Sequence, residues 1–186
     1  MAWLTATWRW AALAVFTAIA AGAPAAAQAR WDVTVERDDF GSKHVGIAVT
    51  LADGRALALR CENERVPALV FATRELWSER LSAIPATLLV KIDDGEAFRK
   101  PAVLEQYPMM VGLTQQLGVR VVALGDHLFP ILDAIAKGKD RVAVAIEIAG
   151  ERFENTRFRA KGSKAAFNRI WGYCGSKLGT YDKPDL

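Results

Sequence analysis

The side chains that could do chemistry in this 186-residue chain are few and scattered. His44 and His127 are far apart, and neither belongs to an H-x-x-x-H or H-E-x-x-H pair. A zinc site would therefore have to draw its ligands from distant loops. The simpler reading is a surface strand residue and a residue at a helix start, with no metal and no cofactor. No G-x-S-x-G elbow is present to expose a nucleophilic serine. Gly162-Ser163 reads instead as a helix start, with the Ser163 hydroxyl capping an unsatisfied N–H. Asp93, Asp94 and Glu96 form an acidic cluster, and paired carboxylates are what glycoside hydrolysis uses. Adjacent acids beside a glycine are also ordinary turn formers, which is the reading adopted. The glycines are scattered and make no phosphate cradle. No catalytic residue is assigned.

One group of charges has a spacing worth attention. If Phe158 and Ala160 face inward, period-two alternation puts Arg157, Arg159 and Lys161 on the opposite side of a strand, with Lys164 beside them. Such a stripe could hold an anionic partner. The more ordinary reading is a solvated charged strand, since edge lysines and arginines also discourage aggregation.

The elements that must position these residues read mostly as β. Residues 31–36 alternate Trp31, Val33 and Val35 with polar neighbours, as a half-buried strand does. Val45, Ile47 and Val49 alternate again. Asp53-Gly54 then forms a hairpin tip before Leu57, Leu59 and Cys61. Residues 68–73 and 87–92 read as strands, the second ending in the Asp93-Asp94-Gly95 turn. Residues 74–84 suggest one or two helical turns stopped by Pro85. Residues 103–113 hold Pro108 and read as an edge strand or an irregular crossing. Residues 119–124 and 141–148 are strands, and Gly150 turns the latter into a strand over 153–160. A helix is predicted after Gly125-Asp126, with Asp126 as cap, Leu128, Ile131, Leu132 and Ile135 as its apolar stripe and Lys137-Gly138 as its stop. A second starts at Gly162-Ser163 and carries Ala166, Phe167, Ile170, Trp171 and Cys174 on one face. The fold class is mainly β (α+β): antiparallel sheets, sandwich-like, with two short helices.

The N-terminus fixes the compartment expected. Arg9 is followed by an apolar run over residues 11–22, a breaking Pro24, and small residues around Ala27 and Ala29. That is the pattern of a secretory signal, with cleavage after Ala27 or Ala29. The run is shorter than the ~20 residues a spanning helix needs, and no transmembrane segment remains after processing. The organisation is a signal peptide over residues 1–28, a single β-rich exported domain over 29–175 and a polar tail over 176–186. The full chain has 24 Lys+Arg against 21 Asp+Glu, so its net charge is only +3. Nucleic acid is not an expected partner, because those domains carry a pronounced basic stripe.

Export also bears on the two cysteines, Cys61 and Cys174. An oxidising compartment and an even count favour a disulfide between them. Closing a loop of about a hundred residues restricts the unfolded chain by roughly 4–5 kcal/mol in the chain-entropy model.

Several of these residues also carry a family likeness. The N-terminal tryptophan strand, L-x-L-R-C (Leu57, Leu59, Arg60, Cys61), K-I-D-D-G (Lys91 to Gly95) and the closing series Phe158, Gly162, Ala166, Cys174 resemble the VasI-like type VI secretion-associated family of small exported proteins. A weaker similarity is to the invasion-associated locus B family of envelope proteins. The resemblance implies a periplasmic or secreted, non-enzymatic binding or accessory protein that supports protein secretion. Its partner would be an envelope protein or an anionic cell-envelope component. The second likeness implies a virulence-associated surface protein. A secreted hydrolase acting on cell-wall material is the alternative from a different class, and it would require acids converging across a cleft.

Overall fold

The computed structural model describes residues 30–37, 44–62, 67–125 and 128–171. The expected signal peptide, the C-terminal tail, Asp126, His127 and Cys174 lie outside the described residues. Nine strands run in chain order as β1 (Asp32–Arg37), β2 (His44–Ala52), β3 (Arg55–Glu62), β4 (Ala68–Leu76), β5 (Ala86–Ile92), β6 (Ala97–Val111), β7 (Thr114–Leu124), β8 (Arg141–Ile148) and β9 (Glu151–Arg159). Two helices, α1 (Phe129–Lys137) and α2 (Ser163–Trp171), follow β7 and β9, and a 3-10 segment spans Glu79–Ala83. Every strand pairing is antiparallel. The mainly β class with two short helices is therefore as the sequence predicts. The expectation of separate sheets is not met, because the strands form one sheet in the order β1-β2-β3-β4-β7-β6-β5-β8-β9.

The long strand β6 joins the two halves of that sheet. Ala97 to Ala102 pair with β5, whereas Val103 to Val111 pair with β7. Each half of β6 thus has one hydrogen-bonded neighbour. That tolerates Pro101 and Pro108, which supply no ladder N–H. Of the two readings of residues 103–113, the edge strand is met over Val103–Val111, which pair in unbroken register with β7 alone, and the irregular crossing is not.

The two halves face each other across one core. Leu57, Leu59, Leu69 and Phe71 come from one half, and Leu88, Val90, Val142, Val144 and Phe158 from the other. Phe71 and Phe158 meet edge to face, with centroids 6.0 Å apart and planes at 87°. The sheet's outer strands also approach. The Trp31 indole Nε1 donates to the Arg159 carbonyl at 2.9 Å, and Arg55 on β3 pairs with Glu154 on β9.

Turn chemistry is local and behaves as the sequence implies. Asp53 and Gly54 both have positive φ at the β2–β3 tip, and Ala149 and Gly150 do so at the β8–β9 tip, as two-residue hairpins require. The cap position of α1 is Leu128, with no side-chain bond, and the expected cap Asp126 lies outside the described residues. Ser163 does not cap α2. It is the first residue of that helix, and its Oγ donates to the Ile135 carbonyl at 2.9 Å, tying the two helices together. Gly138 follows α1 as predicted. A Cβ there would stand 2.9 Å from both Ala160 and Ile92, so close packing requires the glycine.

α2 lies over the inner face of β1 and β2. Phe167 meets Trp31 edge to face at 5.1 Å, and a Cβ on Gly46 would stand 3.0 Å from Ile170 Cγ2. Consequently Gly46, Ala48 and Thr50 are the buried residues of β2, and Val45, Ile47 and Val49 face outward. The period-two pattern is as read, but the larger side chains lie on the other face. Cys61 is 2% exposed and is the register partner of Gly46. With Cys174 outside the described residues, the expected bridge is not part of this description. Among those residues α2 is held by apolar contact and by the Ser163 bond.

The Phe71–Phe158 contact generates a test by urea unfolding. Either residue changed to Ala is expected to cost about 3–5 kcal/mol. A double-mutant cycle is expected to return a coupling of roughly 0.5–1.5 kcal/mol. Additive losses would show that the two halves of the sheet do not share one core.

Candidate anion-binding face

β5, β8 and β9 lie side by side, and their outward residues align in rows. Lys91 is the register partner of Ala143, and Ala143 that of Arg157. One row along, Leu89, Ala145 and Asn155 align in the same way. The small side chains of β8 leave a trough between two taller walls. It has a volume of about 590 Å³, with Lys91, Arg141, Arg152 and Arg157 among its lining residues. Leu89 and Ala145 give it an apolar floor, and Asn155 adds an amide.

The charges here divide into used and unused. Arg141 pairs with Asp94 at 2.6 Å, and Arg99 pairs with Glu147. Among the described residues, Lys91, Arg152, Arg157 and Arg159 have no ion-pair partner. Two cations flanking a small residue across three strands can hold an anion through charge-assisted hydrogen bonds.

The stripe predicted from the sequence is partly assembled. Phe158 and Ala160 are buried, at 2% and 1%, and Arg157 and Arg159 are exposed on the outer face. Only Arg157 of the predicted four lines the trough. β9 ends at Arg159, so Lys161 sits in the following turn and Lys164 on the first turn of α2, both exposed. Lys91, Arg141 and Arg152 were missed, because their proximity to Arg157 depends on strand order. The alternation of residues 87–92 does mark Lys91 as outward facing.

The acidic cluster has a different role from the one a hydrolase would need. The Asp93 carboxylate accepts backbone N–H bonds from Lys139, Asp140 and Arg141 at 2.9, 3.0 and 2.9 Å. These bonds, led by the one from Lys139, hold its pKa below the ordinary carboxylate value. Asp93 is thus more than a solvated turn former, since it fastens the segment between α1 and β8. Asp94 is engaged with Arg141. The β9 wall opposite presents Arg152, Asn155 and Arg157, with no carboxylate or histidine facing Glu96. His44 lies on β2, away from this trough. Among the described residues no group of His, Cys, Asp and Glu could hold a metal ion, and no helix is long and apolar enough to cross a membrane. No family model, curated protein or solved structure matches the chain.

Asp93 generates a pH prediction. Because its pKa is lowered on folding, its ionised form stabilises the fold above the unfolded value near 4, and this is lost as pH falls through the folded value. Asp93→Asn is expected to melt at lower temperature than the wild type at pH 7, with the gap narrowing in acid. Equal melting temperatures at pH 7 would show that the three amide bonds contribute nothing.

Proposed function

We propose that the chain is an exported, non-enzymatic binding protein that holds an anionic envelope component or an acidic envelope protein on the outer face of β5, β8 and β9. The observation that carries this reading is the Lys91–Ala143–Arg157 row, with two cations that have no ion-pair partner among the described residues on either side of a small residue. The trough is open, and its lining sets Lys91, Arg141, Arg152, Arg157 and the Asn155 amide beside Asp93 and Glu96, with Asp93 taken up by three backbone N–H groups. Such a site recognises rather than transforms. A role as an accessory to protein secretion is the specific form that the VasI-like resemblance suggests, and periplasmic or secreted placement follows from the signal-like N-terminus.

The Cys61–Cys174 bridge belongs to the same proposal. Ile170 packs at Gly46, whose register partner is Cys61, so α2 is directed along the strand pair that carries this cysteine. Cys174 follows Ile170 by one helical turn in sequence. The bridge would anchor the closing helix to β3 in an oxidising compartment. Mass spectrometry of the non-reduced, processed protein is expected to find the Cys61 and Cys174 peptides linked, and two separately alkylated thiols would remove the bridge.

Pull-down from envelope extracts tests the binding surface. The Arg157→Glu, Arg159→Glu variant is expected to lose most partner recovery, and wild-type recovery is expected to fall as salt screens exposed charges. Undiminished recovery by the variant, with its circular dichroism unchanged, would remove this face from consideration.

A further inference from the structure

The trough across β5, β8 and β9 carries both signs of charge. Its lining holds the cations Lys91, Arg141, Arg152 and Arg157 and the acids Asp93 and Glu96. Part of this set cancels within the protein. Arg141 is taken by Asp94 at 2.6 Å, and Asp93 by the N–H groups of Lys139, Asp140 and Arg141. What remains is uneven. Among the described residues Lys91, Arg152, Arg157 and Glu96 make no ion pair, and all of them are exposed. The trough therefore offers several cations and one carboxylate, none of them neutralised by another.

Register fixes where these groups stand. Lys91 and Arg157 flank Ala143 in one row. Their backbones are two strand spacings apart, about 10 Å, a gap that two long side chains can close over an alanine. Glu96 leaves the β5–β6 turn and precedes Ala97, the register partner of Lys91. Glu96 thus stands on the β6 side of Lys91, and Arg157 on the β9 side. In the next row Leu89 and Ala145 are 6% and 7% exposed and form the apolar floor.

We infer that the ligand of this trough is an aminoalkyl phosphate, its phosphate held between Lys91 and Arg157 and its ammonium group held by Glu96. The inference rests on the anion-binding reading above and names the chemistry of the anion. A phosphate monoester carries about −1.5 to −2 at neutral pH, which answers the surplus of cations better than a single carboxylate does. The Arg157 fork suits two phosphate oxygens, and Lys91 adds a point charge. A ligand with negative charge alone would meet Glu96 as a like charge. A short alkyl link between the two charged ends can lie on the apolar floor.

NMR titration of the processed protein at low salt, read at the amides of Ala97 and Ala143, tests the inference. The probes are O-phosphoethanolamine and ethyl phosphate, which lacks the ammonium group. The wild type is expected to bind phosphoethanolamine about threefold more tightly, as one exposed ion pair provides. Glu96→Gln is expected to bring the two affinities together, weakening phosphoethanolamine and tightening ethyl phosphate. Misfolding would not move two ligands in opposite directions. Glutamine still accepts a hydrogen bond from a hydroxyl, so lost preference identifies a charge partner. Arg157→Glu is expected to weaken both ligands.

Equal affinities in the wild type, or a preference that survives Glu96→Gln, would overturn the aminoalkyl phosphate and leave the anion-binding face standing. Binding of neither probe, or binding untouched by Arg157→Glu, would overturn both. With the preference established, vesicles separate its sources. Co-sedimentation with phosphatidylethanolamine vesicles but not phosphatidylglycerol vesicles would place the group on a lipid. Phosphoethanolamine binding without co-sedimentation would place it on a soluble or polymer-borne ligand.

Discussion

The change of partner within β6 is the constraint on which the architecture rests. A strand that bonds to β5 along its first part and to β7 along its second leaves the two halves of the sheet unpaired to each other on either side of the change, so the sheet can turn there. The sheet turns, and the inner faces of its two halves come together in one core. Phe71 and Phe158 record the result, since they sit on strands far apart in sheet order yet make an aromatic contact. The hydrophobic effect drives the closure, because each half alone would leave its row of leucines and valines in water. The Trp31–Arg159 bond and the Arg55–Glu154 pair then keep the approaching outer strands from separating.

Closure of this kind fills the interior. Large side chains from both halves and from α1 and α2 are fully buried in one cluster. What distinguishes the two halves is therefore the outside of the sheet. One presents a charged trough built on two alanines of β8, the other a row of valines and alanines that includes Val49, Ala58, Val70 and Val122. The inner faces of both halves are apolar alike, so packing does not require this difference in outer chemistry.

How much of this was legible depends on how local each feature is. The Asp53-Gly54 tip, the Gly150 turn and the inward run of Leu57, Leu59 and Cys61 could be read directly, because turn geometry and strand period are properties of a few adjacent residues. The length of β4 could not be read, since residues 74–76 extend the strand through pairing of Leu76 with Gly118 on a distant strand. The inner face of β2 was also misleading. Val45, Ile47 and Val49 look like a core stripe, but α2 needs space above this strand and only Gly46 and Ala48 leave it. Ser163 looked like a cap, and its neighbour across space, Ile135, claimed the hydroxyl instead. For the site, Arg157 was visible from alternation alone. Lys91 and Arg152 were not, because they join it only through the order β5-β8-β9.

Asp93 shows how the acidic turn and the basic trough depend on each other. Its carboxylate gathers three successive amides and so fixes the start of β8. That places Arg141 where Asp94 can neutralise it. With Arg141 occupied, the positive charge left for a ligand is concentrated further along the strands, on Lys91, Arg157 and Arg152. A sequence rich in acids and bases near one turn would ordinarily cancel itself. Here backbone amides take up one acid and a single arginine takes up another, so the surplus on β5 and β9 survives. Asp93 and Asp94 are therefore part of the construction of the proposed anion site and are both engaged within the protein, while Glu96 lines the trough beside them.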